Sequence, residues 1–316
     1  MQTDYIEILN NFDLNNLPNL DVVVRGALQL FKQTELPRID TSRYRRPLVV
    51  GSGNAEVAGR IAFSKLDAVF ASESDCEEKL SNISGIDGVI LISASGKKNA
   101  PIIAEMARRF NKHLTLITNS ANSPAKAIFD DAPEMFNEYV FPKNREPYTY
   151  NTSTYMGLIL GSTGENPVEI EDFINNVIDK IELPDFSKYN KYYLAVPTNL
   201  SNITRMLNVK FIELFGRNIA RDVETAEYLM RHATTVVPSD ELFISFGVEN
   251  GVWGSPENRL YVPLPENCGY GAMMAIGYYV VSKIQAAYPN YFKDNIESYT
   301  EKVSSIIGQS ILPIVD

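Results

Sequence analysis

The segment GVILISASGKKNAPIIAEMARRF, residues 88–110, concentrates groups that can hold an anion. An apolar run ends in Ser93, Ser95 and Gly96. Lys97 and Lys98 follow, and an amphipathic stretch comes next. The pattern reads as strand, loop and helix. In parallel α/β sheets that junction is where ligands bind, because strand C-ends and helix N-ends meet there. A helix N-terminus offers free N–H groups and partial positive charge, hydroxyls add hydrogen bonds, and lysines add charge, so a phosphate is the natural guest. An ordinary polar turn with an N-cap serine would show the same residues.

A second glycine turn, GSGNAEVAGR at 51–60, also follows an apolar run and opens a helical stretch. It is not a dinucleotide fingerprint, since the third glycine would fall at Glu56. Glu73, at the end of the next strand, does not supply a convincing ribose contact. What remains is a turn that lets backbone approach a ligand closely.

These loops need a scaffold, and the chain supplies an alternation. Apolar runs at 48–53, 67–72, 88–95, 113–119 and 136–142 alternate with helical stretches, the mark of a parallel sheet covered on both faces. Residues 1–38 read as helical. Helices are expected at 152–161 and 166–181. A weaker second copy of the pattern begins with the strand KYYLAVPTN (191–199) and its helix LSNITRMLNVKFIELFG. Strands ELFISFG and NRLYVPLPE come next, and two terminal helices close the chain. The expected domains are an N-terminal helical extension (1–40), a first α/β domain (41–160) and a second with a helical tail (161–316).

The chain has 316 residues, enough for about two domains. Its formal net charge of -10 argues against nucleic acid or an anionic membrane as partner. Cys76 and Cys268 fit no metal motif and read as free thiols. No apolar run reaches spanning length and the N-terminus is no signal peptide, so a cytoplasmic protein is expected.

Taken together, Gly51-Ser52-Gly53-Asn54, Ser93-Ala94-Ser95-Gly96 and the hydroxyl-rich start Asn151-Thr152-Ser153-Thr154 resemble the sugar isomerase (SIS) domain family. The resemblance covers residues 40–160 well and the rest in outline. It is closest to the double-SIS group that includes archaeal-type bifunctional phosphoglucose/phosphomannose isomerases. It implies two αβα sandwich domains, each with a mainly parallel sheet of five strands or slightly fewer. It also implies a phosphorylated sugar bound by Gly53, Asn54, Ser93, Ser95, Lys98, Thr152, Ser153 and Thr154, no cofactor or metal, and a homodimer. The chain departs from the family at Ala55, where a serine is usual, and at Lys98, where a threonine is usual.

The implied chemistry is aldose–ketose isomerisation of the glucose 6-phosphate/mannose 6-phosphate to fructose 6-phosphate type. A base moves a proton between C1 and C2 through a cis-enediol, and a second group opens the ring. Glu213 matches the family's glutamate, with Glu224 and Glu227 as rivals. Of the two histidines, His232 in RHATT matches the ring-opening residue, because imidazole titrates in the right range, while His113 begins a buried strand and reads as structural. Arg145 could stabilise enediolate charge. Lys302 matches the family's tail lysine, with Lys293 as rival. The same residues leave two alternatives open: an amino-sugar-phosphate isomerase/deaminase or deglycase, and a non-catalytic phosphosugar-binding regulator. Of the seventeen tyrosines, those at 148–155 could stack on sugars or pack at a subunit interface.

Overall fold

The computed structural model describes residues 3–228, 240–289, 291–308 and 310–316. The chain opens with helices α1 (Tyr5–Asn11) and α2 (Leu20–Gln33). Strands β1 (Pro47–Gly51), β2 (Val69–Ser72), β3 (Gly88–Ile92), β4 (His113–Thr118) and β5 (Phe136–Val140) then alternate with α3 (Asn54–Ala62), α4 (Cys76–Asn82) and α5 (Ala100–Arg109). The remainder runs β6 (Glu146–Pro147), α6 (Thr152–Thr163), α7 (Pro167–Asn176), β7 (Lys191–Val196), α8 (Ile203–Phe215), β8 (Ala220–Thr225), β9 (Glu241–Phe246), β10 (Arg259–Val262), α9 (Tyr270–Ala287), α10 (Tyr291–Ile307) and β11 (Ile314–Val315).

Two compact units divide these elements. The first holds Thr34–Lys143 and Thr154–Gly164, and the second holds Met1–Gln33, Asn144–Ser153 and Glu165–Asp316. The first unit's sheet is fully parallel, in the order β2-β1-β3-β4-β5. Its central strands β1, β3 and β4 are buried along their whole length, which is why they read as unbroken apolar runs. One core layer packs Leu48, Val50, Leu91 and Leu116 against Ile103 and Ala104 of α5 and against Phe129.

The second unit's sheet has the order β10-β9-β7-β8, again parallel. Read from the other edge, it is the order of β2-β1-β3-β4 in the first unit. The two sheets therefore share one architecture of five and four strands flanked by helices, as the sequence pattern predicts. The N-terminal helices, expected to form a separate extension, are built into this second unit. The apolar stripe of α2, through Val23, Val24, Ala27 and Leu28, is buried. Its polar positions are tied down as well: Asp21 N donates to Ser282 Oγ (2.8 Å), and Arg25 pairs with Asp179 (2.5 Å) and Tyr279 (3.0 Å). No described helix is long and apolar enough to cross a membrane.

Candidate functional site

In the first unit the chain leaves β1, adds β2 on one side, and returns to place β3 on the other. Such a switch in winding direction opens a crevice at the carboxyl ends of β1 and β3. The loops Gly51–Asn54 and Ser93–Lys98 both leave from these two strands.

The first loop is tight. A Cβ on Gly51 would lie 2.6 Å from the backbone nitrogen of Glu56, so no other residue lets α3 start this close to its strand. Ala55 N donates to Ser52 O (3.0 Å), and Gly53 precedes the helix at φ +56°. No side chain caps α3. The acid of its first turn, Glu56, bonds Arg60 instead. Asn54 is 8% exposed, and its Oδ1 has no hydrogen-bond partner within the protein.

The second loop is pinned to β4. Ser93 N donates to Ile117 O (2.9 Å), Asn119 N to Ala94 O (2.9 Å) and Ser123 Oγ to Gly96 O (2.6 Å). Gly96 stands at φ +63°, where a Cβ would lie 2.8 Å from Ser123. Ser95, Lys97 and Lys98 are exposed. Helix α5 also begins without a side-chain cap and without an acid in its first turn. Glu73, just past β2, accepts a hydrogen bond from Asn99 Nδ2 at the start of α5. Burial pushes the Glu73 carboxyl up from its ordinary value, against the opposing pull of Asn99 and Lys98. Thr154 lies at the same sheet end, lining a small pocket with Ala94, Thr118, Asn119 and Tyr155. Two uncapped helix starts, serine hydroxyls and a lysine pair form an arrangement chemically suited to an anion.

The second unit carries Glu213 on α8. The buried face of α8 runs through Met206, Leu207, Phe211 and Leu214, and Lys210 lies on that same face with its side chain 0% exposed. Lys210 Nζ donates to Glu213 Oε2 (2.7 Å) and to the carbonyls of Thr149 (2.9 Å) and Tyr150 (2.8 Å). Thr149 (φ +76°) and Asn151 (φ +44°) both occupy backbone regions that non-glycine residues rarely adopt. Lys210 thus fastens a strained turn and Glu213 to one point. Burial raises the pKa of Glu213, with Lys210 opposing, and it raises Tyr148 and Tyr299, on which the Glu213 charge also acts. A largely buried carboxylate with a raised pKa is a stronger base than an exposed one.

The start of α6 is already occupied from within. Glu146 is 4% exposed and accepts from Thr152 N (2.6 Å), Ser153 N (2.7 Å) and Ser153 Oγ (2.5 Å). Burial still raises its pKa against these donors and against Lys210. Ser153 Oγ also accepts from Asn144 N (2.9 Å). Of the expected binding segment, Thr152 and Ser153 therefore face an internal carboxylate.

The other expected residues are scattered. Arg145 lies over the Phe12 ring and donates to Asp316 (2.9 Å) and to the carbonyls of Phe12 (2.6 Å) and Leu9 (3.4 Å). Lys302 is exposed on α10, whereas Lys293 is half-buried with its pKa lowered by burial. Glu224 and Glu227 are exposed. His232 lies outside the described residues. His113 is buried, with Nδ1 2.5 Å from Tyr44 Oη, and burial takes its pKa down to about 4, a structural setting. No group of three metal-ligating side chains occurs among the described residues.

Sequence reasoning missed Lys210 and Glu146. Lys210 had a visible signal, a charged residue three and four positions from apolar ones on a helix's buried face. Glu146 had none, because its role depends on the unusual turn at 149–151.

No protein-family model matches the chain, and no curated protein matches it in sequence. Solved structures do resemble it. The C-terminal domain of glucosamine-fructose-6-phosphate aminotransferase from Francisella tularensis superposes with a TM-score of 0.63 at 12% identity, covering 87% of this chain and 98% of that one. Glucosamine-6-phosphate deaminase from Thermotoga maritima gives 0.57 at 13% identity, covering 90% and 94%. Tagatose-6-phosphate ketose/aldose isomerase from Escherichia coli gives 0.54 at 13% identity, covering 91% and 90%. At such identities the likeness establishes a shared fold: the chain has the architecture of these phosphosugar proteins along nearly its whole length.

Proposed function

We propose that the protein binds a phosphorylated sugar and isomerises it between aldose and ketose. The single observation that carries this is the β1/β3 crevice, where two uncapped helix starts face a serine- and lysine-rich loop. Gly53, Asn54, Ser93, Ser95, Lys98 and Thr154 hold the phosphate end. The fold's likeness to enzymes named for 6-phosphates of tagatose and glucosamine supports the substrate class. Within that class the reading is the glucose 6-phosphate/mannose 6-phosphate to fructose 6-phosphate interconversion, in a homodimer.

Glu213 serves as the base that carries the proton between C1 and C2, and its raised pKa supports that role. The proton leaves one carbon for the Glu213 carboxylate and returns to the neighbouring carbon, while the hydroxyl proton passes from the oxygen of the one to the oxygen of the other, so atoms and charge balance without a cofactor. His232 would open the ring and Lys302 would offset enediolate charge, both on the resemblance. Arg145 would have to leave Asp316 and two carbonyls to do the same, which makes it the least suited of the four. Thr152 and Ser153 would reach the ligand only if Glu146 gave way. Incubation with a panel of aldose and ketose 6-phosphates, followed by NMR, tests the reading. Appearance of the partner sugar is expected, and binding without conversion would favour the non-catalytic regulator.

A further inference from the structure

Glu73, Glu146 and Glu165 are buried or half-buried glutamates that reach a helix start from outside the helix, and one differs from the others. Glu146 takes the backbone N–H groups of Thr152 and Ser153 at α6, and Glu165 takes those of Gly269 (3.0 Å), Gly271 (2.7 Å) and Ala272 (2.9 Å) at α9. Both act as permanent caps. Glu73 stands at the start of α5 but bonds only the side chain of Asn99, so the α5 backbone donors stay uncapped.

The topology says where that bond lies. In the order β2-β1-β3, Glu73 follows β2 and Asn99 precedes the helix after β3. Their hydrogen bond therefore spans the carboxyl end of β1, where the Gly51–Asn54 turn emerges. At that turn Asn54, 8% exposed, keeps an unpartnered Oδ1.

We infer that Glu73 is a displaceable anion in the phosphate crevice, a carboxylate that crosses the end of β1 and must yield when a phosphate binds. This rests on the phosphosugar reading above. A carboxylate and a phosphate cannot share a few ångströms of low-dielectric space without strong repulsion. Asn99 bonds Glu73 in the absence of ligand and the Lys98 charge favours its ionised form, but burial disfavours that charge, so its place is weakly kept. Bound ligand would free Lys98 and Asn99 for the phosphate. Glu73 thereby weakens binding of bare anions and limits tight binding to ligands that gain further contacts through their sugar.

The test titrates glucose 6-phosphate and inorganic phosphate into the full-length wild type, Glu73→Gln and Glu73→Ala by calorimetry, with thermal melting to confirm folding. Both variants are expected to bind both probes about tenfold more tightly, the effect of removing one nearby like charge. Unchanged or weaker binding in folded variants, with the wild type still binding, overturns the inference and leaves the phosphosugar reading in place. No binding of either probe by wild type or variant overturns both.

Discussion

The two sheets follow the same strand order, and α8, which follows β7 as α3 follows β1, likewise starts without a side-chain cap. The difference lies at α6 and α9, whose starts are filled by glutamates. In the first unit α3 and α5 begin without side-chain caps, and the loops before them are exposed and polar. In the second unit α9 begins on the carboxylate of Glu165, and Thr152 and Ser153, the first residues of α6, bond that of Glu146. An open helix start is a place for an external anion, whereas a filled one is finished structure. Under the proposed function, ligand holding falls to the first unit. The second unit instead buries charge, in the cluster of Glu146, Lys210 and Glu213.

That contrast predicts where substitutions hurt. The largest effect is expected at Lys210. Lys210→Met removes a buried cation from Glu213 and two carbonyls and should cost about 3–5 kcal/mol, read as a lower urea midpoint. A cost below about 1 kcal/mol would mean that the cluster is not what holds the 149–151 turn.

His113 gives the first unit its own stability signature. Its folded pKa, about 4, lies below the ordinary 6.5 of histidine. The unfolded chain therefore takes up a proton first as pH falls. The contribution is complete above about pH 6.5 and is lost between 6.5 and 4, amounting to about 3 kcal/mol at most. Denaturation across that window should show the loss in wild type and a shallower dependence in His113→Gln.

Ser95 should behave unlike either. It is exposed on the second loop, so Ser95→Ala should leave the melting temperature nearly unchanged while weakening phosphosugar binding by roughly 1–3 kcal/mol. A loss of stability without loss of binding would reverse the assignment of roles between the loop and the buried cluster.

The sequence made the first unit easy to see because its central strands are buried on both faces and read as PLVVG, GVILI and HLTLIT. It hid β8. ARDVET is an edge strand on which only Val223 and Thr225 are buried, so charges fill the intervening positions and no apolar run marks it. The pairing of Glu146–Pro147 with Ile314–Val315 joins two-residue strands from distant parts of the chain and leaves no local pattern. The two loops of the candidate site were legible because glycines and hydroxyls cluster at a strand end. The use of Ser153 by Glu146 was not, since it follows from left-handed backbone at Thr149 and Asn151, which ordinary residues do not announce. The placement of the N-terminal helices depended on partners such as Ser282 and Gln285, some 260 residues away.

The most direct test of the central claim, that Glu213 moves a substrate proton, is solvent exchange. Fructose 6-phosphate and glucose 6-phosphate are incubated with the protein in D2O, and deuterium at C1 and C2 is followed by NMR. The wild type should incorporate deuterium, and Glu213→Gln should bind the sugar nearly as well while exchanging at least about 100-fold more slowly. Undiminished exchange in Glu213→Gln, or sugar binding by the wild type with no exchange, would contradict the assignment.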